Sequence, residues 1–443
     1  MSRFVPTEVN ERVACNPLAA TGFVRLGDVV AYGSSATAYL AEASGRRLLV
    51  KVLRNNVACE KRARDEYRLL IELAGAAGHA PLAYALGTCE PDAPSAAGSA
   101  PAPVPAIAME YVDGVDLFGL HALLAGDDGR VASADVLDVA RRLVLALLCC
   151  SVESRSDGRY LSTVSHRDVS AGNVRFILDG GANDRGANGD GAVAVSRAVL
   201  IDFGQGVESD DPQVTTINSP ERSTTPFVGA PEMFDQRPEG VRPLRNTSYT
   251  DTYSVGCLLY YLRVGDWALG RQVEDAIARF GLGREGRQAL CDLKMLSAIR
   301  LPVELVKTRE DRELDELIAR CTEPGAGKLG GRLDLVRLAE RLGIPEEEAI
   351  EARRAAGAGV AKVDPAAMTL PPTPLAEKDN EDVEAAEKRD DGQSGRLSGV
   401  PVKRAGAGRT LLLREVLRKT RRVSAAPLPL KVATLVLIAA ALV

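Results

Sequence analysis

The chain is poor in several residue types, and each shortage narrows its possible functions. Aromatic residues make up only 4% of its 443 residues, so Ala, Leu and Val must fill any core. The three histidines are scattered and none of the eight cysteines forms a C-x-x-C pair, which argues against a zinc site and favours reduced cysteines packed as small hydrophobes. A formal charge of −5 gives no signal for nucleic acid, and we expect no specific nucleic-acid partner.

The beginning of the chain, MSRFVPTEVN, lacks a basic start followed by an apolar core. We therefore expect no secretory signal and a cytoplasmic protein. Apolar residues make up 46% of the sequence, which is enough for a large core.

Strand-like segments come first and helical segments follow. Three apolar segments separated by turn signals in residues 24–53 predict antiparallel strands joined by hairpins. Apolar spacing predicts a helix at 59–74, a strand at 107–112 and a long buried helix at 134–152. Helical patterns resume at 251–263 and continue to about 343. This order favours an α+β chain with a small sheet region and a larger helical region.

The segment SHRDVSAGNV carries an acidic side chain and, five residues later, an amide side chain. His166, Arg167, Asp168 and Asn173 resemble the catalytic loop of protein kinases. An acidic group is needed within reach of the substrate hydroxyl, and a neutral oxygen ligand is needed for Mg²⁺. We assign Asp168 to the first role and Asn173 to the second, with Arg167 as an accompanying catalytic-loop residue.

The segment LIDFGQG follows the catalytic-loop match in chain order and resembles the D-F-G metal-binding segment of the same family. Asp202 would hold Mg²⁺ against the phosphates, and Gly204 would permit an unusual backbone turn. Alone, this segment is better explained as a strand that ends in an Asp turn. Its order after the first motif favours the metal-binding interpretation.

Two further segments resemble parts of the kinase family that handle protein substrates. TTPFVGAPEMF ends in the A-P-E pattern, and DTYSVG resembles the start of the helix that follows it. The resemblance implies that Asp251 braces the catalytic loop from behind. It also makes Arg332 the candidate ion-pair partner of Glu232.

The nucleotide-binding segments match the family less closely. YGSSATAYL lies where a glycine-rich loop should cover the phosphates, but two of its three glycines are replaced. The positions that correspond to the family's loop are Gly33, Ser35, Ala38 and Leu40. Lys51, which we place at the end of a strand with little contribution to the core, matches the phosphate-pairing lysine. Glu66 fits its helix partner better than Glu60 does.

The segment MEYVDGVDL resembles the hinge beside the adenine. Met109 would lie behind the ring, and the backbone of Glu110 and Val112 would bind its edge. The ordinary alternative is a buried strand that runs into a turn.

Together these segments resemble a eukaryotic-type protein kinase domain over residues 24–345. The resemblance implies a bilobal fold with a β-rich N-lobe and a helical C-lobe, the cofactors ATP and Mg²⁺, and protein substrates. The expected regions are an extension at 1–23, an N-lobe at 24–112, a C-lobe at 113–345, a disordered linker at 346–402 and a basic, apolar tail at 403–443.

Departures from the family pattern leave alternatives open. Ser170 replaces the lysine usual in serine/threonine kinases, whereas Thr225 is like their substrate-loop threonine. We favour serine/threonine specificity. A pseudokinase that binds nucleotide or a partner without efficient transfer is the alternative, and a small-molecule phosphotransferase fits less well because the substrate-handling segments are present.

Two regulatory features are expected outside the core motifs. The basic amphipathic stretch and the apolar end of the tail read either as a membrane anchor or as a helix that docks on protein. Arg167 beside the catalytic aspartate suggests a phosphorylation switch. The hydroxyl groups available for it are those of Thr215, Thr216, Ser219, Ser223 and Thr224. The alternative is that Arg167 pairs with an acid such as Glu208 or Asp210 and that the loop hydroxyls are ordinary ones.

Overall fold

The computed structural model describes the chain in several stretches. They are residues 2–33, 36–53, 57–73, 78–91, 103–154, 160–162, 164–179, 193–205, 207–208, 225–236, 248–324 and 331–345. The linker and tail predicted from residue 346 onward lie outside the described residues, as do the five hydroxyl residues of the predicted switch. No helix within the described stretches is long and apolar enough to cross a membrane.

The first part of the described chain is built from strands. They are β1 Ser2–Val9, β2 Val24–Tyr32, β3 Ala36–Ala43, β4 Arg46–Leu53, β5 Ala83–Pro91 and β6 Val104–Glu110, with helix α1 Val57–Leu73 between β4 and β5. These six strands form a closed barrel in the order β1-β2-β3-β4-β6-β5. The predicted strands at 24–53 and 107–112 and the predicted helix at 59–74 are confirmed, whereas β1 was not predicted.

Local sequence explains the hairpins of the barrel. The turn between β3 and β4 consists of Ser44 and Gly45, whose φ angles of 52° and 71° are both in the left-handed region. Two such residues form the tight turn whose twist suits an antiparallel hairpin. Phe4, with no exposed surface, packs in the barrel core with Leu18, Val24 and Leu48.

The second part is mainly helical. Its helices are α2 Leu117–Leu124, α3 Ser133–Ser151, α4 Pro231–Phe234, α5 Ser248–Val264, α6 Gly270–Phe280, α7 Arg284–Lys294, α8 Arg309–Thr322 and α9 Leu335–Arg341. Its short strands are β7 Val152–Ser154, β8 Tyr160–Ser162, β9 Val164–Ser165, β10 Val174–Leu178, β11 Val195–Leu200 and β12 Val207–Glu208. The helices predicted at 134–152 and 251–263 are therefore confirmed as α3 and α5, and the α+β composition is confirmed with them.

Buried polar contacts hold the helical part together. Thr308 caps α8, because its hydroxyl accepts a hydrogen bond from the Asp311 amide while the Asp311 carboxylate accepts one from the Thr308 amide. The Asp311 carboxylate also accepts a hydrogen bond of 2.6 Å from Ser133 and lies 3.5 Å from Arg263, so α3, α5 and α8 meet at one acidic group.

Candidate active site

Two short antiparallel pairs bring the catalytic-loop segment and the D-F-G segment side by side. Strand β10 pairs with β11, and β9 pairs with β12. Residues 166–173 connect β9 to β10, and residues 201–206 connect β11 to β12. Because both connections leave the same pairs of strands, they lie next to each other, and the Ile201 amide donates a 2.8 Å hydrogen bond to the Asn173 carbonyl.

Lys51 and Glu66 form the ion pair that the family resemblance implies, and the pair is buried. The Lys51 Nζ lies 2.8 Å from both carboxylate oxygens of Glu66, which α1 presents to β4. Glu60 instead pairs with Arg64 on the exposed side of α1. Of the two glutamates, it is therefore Glu66 that contacts Lys51. Lys51 lies inside β4 and its side chain is 11% exposed. The prediction that it ends a strand and contributes little to the core is therefore wrong.

Asp202 completes this cluster from the D-F-G segment. Its Oδ1 accepts a 2.5 Å hydrogen bond from Lys51 Nζ, while its side chain remains 47% exposed. The unusual backbone is at Asp202, with φ of 62°, rather than at Gly204 as predicted. Gly204 is needed for space, because a Cβ there would lie 3.1 Å from both Asp202 Oδ1 and Glu66 Oε2.

The predicted catalytic aspartate is held by two neighbours. Asn173 Nδ2 donates 3.0 Å hydrogen bonds to the carbonyl and to Oδ2 of Asp168. Thr225, from the substrate-proximal segment, donates to Asp168 Oδ1 from its hydroxyl at 3.0 Å and from its amide at 3.2 Å. The carboxylate is therefore fixed in orientation by groups on both sides.

Asp251 lies beneath the catalytic loop, as the resemblance implies. Its Oδ2 accepts hydrogen bonds from the Ser165 hydroxyl at 3.0 Å and the His166 amide at 2.8 Å, and its Oδ1 accepts one from the Arg167 amide at 2.7 Å. Arg167 is buried and has a left-handed φ of 66°. The Asp251 contacts stabilise this uncommon backbone directly before Asp168.

Burial and neighbouring charges shift the pKa values of the site. Burial alone would lower the pKa of Lys51, but attraction to Glu66 and Asp202 raises it above its usual value. Burial would raise the pKa of Asp202, but Lys51 outweighs it and the pKa falls below its usual value. Burial raises the pKa of Asp168, against the lowering effect of the hydrogen bonds from Thr225. Lys51 and Asp202 are therefore charged at neutral pH.

The oxygen atoms of the site suit a hard divalent cation. Asn173 uses its amide nitrogen on Asp168, and its Oδ1 accepts no hydrogen bond from the residues described. The half-exposed Asp202 carboxylate supplies the second oxygen donor. The described residues contain no group of three or more His, Cys, Asp or Glu that could hold a metal by themselves. Mg²⁺ is commonly held by one or two protein ligands together with phosphate oxygens, so the donor set fits that ion.

The predicted nucleotide-binding residues lie on the strands beside Lys51. Ala38 is opposite Lys51 in the β3–β4 pair, and Leu40 and Met109 are both opposite Leu49. Met109 is 3% exposed and belongs to the core.

Three further predicted nucleotide-binding residues lie in or just after strands of the barrel. The Glu110 amide bonds the Leu82 carbonyl, and Val112, two residues beyond β6, is partly buried. Gly33 closes the β2–β3 hairpin through its amide, at 2.8 Å from the Ala36 carbonyl, whereas Ser35 lies outside the described residues.

The substrate-proximal segment is anchored by the predicted ion pair. Arg332 Nη1 lies 2.7 Å from Glu232 Oε1, and the two side chains are 0% and 3% exposed. Lys294, on α7, was missed by sequence reasoning because it reads as an ordinary basic residue in the last turn of a helix. It is buried beside the rings of Tyr253 and Phe234.

Comparison with known proteins finds relatives at low identity. No protein-family model matches the chain. It is 27% identical over 244 residues to the serine/threonine-protein kinase PknB of Mycolicibacterium smegmatis, which is 54% of this chain and 32% of that protein. It is 31% identical over 156 residues to the serine/threonine-protein kinase Nek2 of Homo sapiens, which is 35% of this chain and 28% of that protein.

The PknB of Mycobacterium leprae is 25% identical over 243 residues, which is 54% of this chain and 32% of that protein. The chain thus spans about a third of the length of the curated relatives it matches. Two differently named kinases from bacteria and animals match the same chain, although at low identity. The order of the segments and these similarities relate the chain to the protein kinase superfamily.

Proposed function

We propose that this chain is an ATP-dependent protein kinase that transfers the γ-phosphoryl group to serine or threonine hydroxyls of protein substrates. One observation carries the proposal. Lys51, Glu66 and Asp202 meet in one ion-paired cluster although they come from three separate segments, and the adjoining loop presents Asp168 bonded to Asn173. A structural ion pair would not require the second pair of polar residues beside it.

The cluster can bind and orient a nucleotide. Lys51, fixed by Glu66, would offer its ammonium group to the phosphates, and Asp202 and Asn173 would hold Mg²⁺. Bound MgATP supplies the transferable phosphoryl group and neutralises part of its charge. The protein contributes mainly placement and electrostatic stabilisation, so the loss of one of these side chains should be severe.

Asp168 would orient the substrate hydroxyl and accept its proton. Its pKa is raised by burial, which makes it a stronger base than an exposed aspartate. The hydrogen bonds from Asn173 to Oδ2 and from Thr225 to Oδ1 fix the orientation of the carboxylate.

The finer architecture belongs to the same proposal. We take the β-barrel with α1 as an N-lobe and the helical part as a C-lobe, with the nucleotide between them. Serine/threonine specificity is supported by the names of the curated relatives and by the contact between Thr225 and Asp168.

A radiolabelled transfer assay with Mg²⁺ and generic protein substrates tests the proposal. Wild type should incorporate label, and Asp168→Asn should lose at least two orders of magnitude of rate. Asp275→Asn, a matched change on the exposed face of α6, should leave the rate unchanged. Equal incorporation by wild type and Asp168→Asn would remove Asp168 from the mechanism.

The second candidate is a pseudokinase, which Ser170 in place of a lysine favours. Ser170 is 8% exposed, and its carbonyl accepts a hydrogen bond from the Asn173 amide. A nucleotide that raises the melting temperature without any transfer of label would select this candidate.

A further inference from the structure

A cleft of about 290 Å³ lies in the helical part, between α3, α8 and α9. Its lining comes from Leu137 on α3, from Arg309, Glu313 and Leu317 on α8, and from Arg341 and Leu342 at the end of α9. This volume is at the lower end of the range for sites that hold small molecules. None of these lining residues belongs to the candidate active site, so the cleft is a separate feature.

The floor of the cleft is apolar. Leu137, Leu317 and Leu342 are each at most 5% exposed, and all three belong to the main hydrophobic core. Because side chains in a core are closely packed, these leucines keep their positions whether or not the cleft is filled. The floor therefore offers fixed methyl groups to the apolar part of a ligand.

Two hydrogen bonds hold the walls of the cleft together. Ser133, at the start of α3, donates a 2.6 Å hydrogen bond to Asp311 in the first turn of α8. Arg141, further along α3, donates a 3.1 Å hydrogen bond from its Nε to the Leu342 carbonyl. The start of α8 and the end of α9 are therefore both fixed against α3, and the cleft is preformed.

The rim of the cleft carries charges that do not neutralise one another. Arg309, Glu313 and Arg341 are exposed, and none of the ion pairs in the described stretches includes any of them. Arg309 and Glu313 are four residues apart on α8, the spacing at which Glu60 and Arg64 pair on α1 at 3.3 Å. An acidic residue that precedes its basic partner pairs better than one that follows it, and on α8 the acidic residue follows. The three charges therefore stay available to a ligand.

The stability of α8 does not account for Arg309. This residue is the first of the helix, directly after the Thr308 cap. The amino end of a helix carries partial positive charge, so acidic residues are favoured there and cations are disfavoured. Glu310 and Asp311 follow this rule, whereas Arg309 does not. An anionic group bound in the cleft would account for the cation.

Two cations, one anion and an apolar floor define the chemistry of the ligand. Guanidinium groups bind a carboxylate through charge-assisted hydrogen bonds, and a carboxylate binds an ammonium group in the same way. A fatty acid would match the arginines but leave Glu313 without a partner, and a dianion would be repelled by Glu313. A free amino acid with an apolar side chain carries all three matching groups on one carbon atom.

We infer that the cleft between α3, α8 and α9 binds a free α-amino acid with an aliphatic side chain of about the size of leucine. Arg309 and Arg341 bind its carboxylate, Glu313 binds its ammonium group, and the leucines of the floor contact its side chain. This binding site goes beyond the proposed kinase function and does not depend on it.

Saturation-transfer NMR on the full-length protein tests the inference with L-leucine and three analogues that each lack one group. Leucinol lacks the carboxylate, 4-methylpentanoate lacks the ammonium group and glycine lacks the apolar side chain. Leucine should bind saturably with a Kd on the order of 1 mM, because so small a ligand has few atoms through which to gain affinity. Each analogue should bind at least about tenfold more weakly. The absence of saturable leucine binding, or equal Kd values for leucine and leucinol, would overturn the inference.

Variants of α8 isolate the two charges. Arg309→Gln should raise the Kd of leucine at least about fivefold. Glu313→Gln should do the same for leucine but should not weaken 4-methylpentanoate, which has no ammonium group. Arg312→Gln, an equally exposed change on the same helix outside the cleft, should bind leucine as wild type does. An unchanged Kd of leucine in Arg309→Gln and Glu313→Gln would contradict the assigned roles.

A variant of the candidate active site separates this inference from the kinase proposal. Asp168→Asn should bind leucine as tightly as wild type, because Asp168 does not line the cleft. Leucine binding without any transfer of phosphate would contradict the kinase function and support the cleft as a binding site. Transfer of phosphate without leucine binding would support the kinase function and overturn the site.

Discussion

The hydroxyl of Thr225 donates a 3.0 Å hydrogen bond to Oδ1 of Asp168. The two residues are 57 positions apart, so the contact couples the substrate-proximal segment to the catalytic loop. Because a hydrogen bond to a carboxylate favours its charged form, Thr225 holds the pKa of Asp168 down against the effect of burial.

Thr225→Val should therefore shift the pH dependence of transfer. Loss of one hydrogen bond to the carboxylate raises the pKa of Asp168. On acidification, the variant should therefore be protonated at Asp168, and lose activity, at a higher pH than wild type. A bond worth about 1.5 kcal/mol corresponds to a shift of roughly one unit in the acid limb of kcat/KM. Thr225→Ser keeps the donor and should keep the wild-type limb. Superimposable profiles for the valine and serine variants would contradict this role.

Lys51→Met should abolish transfer and also destabilise the protein. Glu66, whose side chain is 2% exposed, would lose its buried cation, which typically costs about 3–5 kcal/mol. The double variant Lys51→Met/Glu66→Gln should recover most of the free energy of unfolding in urea but none of the activity. If the single variant is as stable as wild type, Glu66 is less dependent on Lys51 than the contacts indicate.

Asp251→Asn should loosen the catalytic loop. An amide can accept at only one of the two positions that now receive three hydrogen bonds, so the left-handed backbone at Arg167 loses support. We expect a loss of about 2 kcal/mol in stability and at least about tenfold in kcat. Ser165→Ala, which removes only the hydroxyl contact, should have a clearly smaller effect on both measurements.

Arg332→Met should be among the most destabilising single changes in the helical part. It leaves Glu232, 3% exposed, without its ion pair, at a typical cost of about 3–5 kcal/mol. Arg337→Met is the control, because the Arg337 side chain is 64% exposed and its ion pair with Asp334 is long, at 3.8 Å. The control should change the free energy of unfolding by less than about 0.5 kcal/mol. Similar losses in both variants would contradict the importance of the buried pair.

Lys294→Met should stabilise the protein at neutral pH. Burial lowers the pKa of Lys294 from 10.5 to about 8, so the unfolded chain binds more protons between these values and wild-type stability rises as the pH increases through this window. Below about pH 8 the full cost of the buried charge is present, on the order of 3 kcal/mol. The advantage of the variant should shrink from pH 8 to 10.5, and exposed Lys307→Met should show no such trend.

Sequence patterns predicted those parts of the fold that depend on local spacing. The hairpins around Ser44 and the helices α1, α3 and α5 follow from turn residues and apolar periodicity. Strand β1 could not be predicted this way, because its pairing partners in β5 are more than 70 residues away. Register over that distance is set by packing of residues such as Phe4, which no local pattern reveals.

The ion-pair partners in the candidate site could be predicted from the sequence, whereas the burial of its side chains could not. The resemblance to the family pattern favoured Glu66 over Glu60 and made Arg332 the candidate partner of Glu232, and the contacts agree with both choices. Whether a side chain is buried depends on tertiary packing, so the prediction that Lys51 ends a strand and contributes little to the core was wrong. The roles of all these residues in transfer stay predictions.

Closure of the barrel by β1 has a mechanical consequence for the hairpin that carries Gly33. Strand β1 pairs with β2 only at Arg3–Arg25 and Phe4–Val24, whereas it pairs with β5 along most of its length. Within the described residues, the far end of β2 has only β3 beside it. The buried ring of Phe4 thus fixes the base of β2, and we expect the part of β2 beyond that point to exchange its backbone amide protons with solvent faster than the base does.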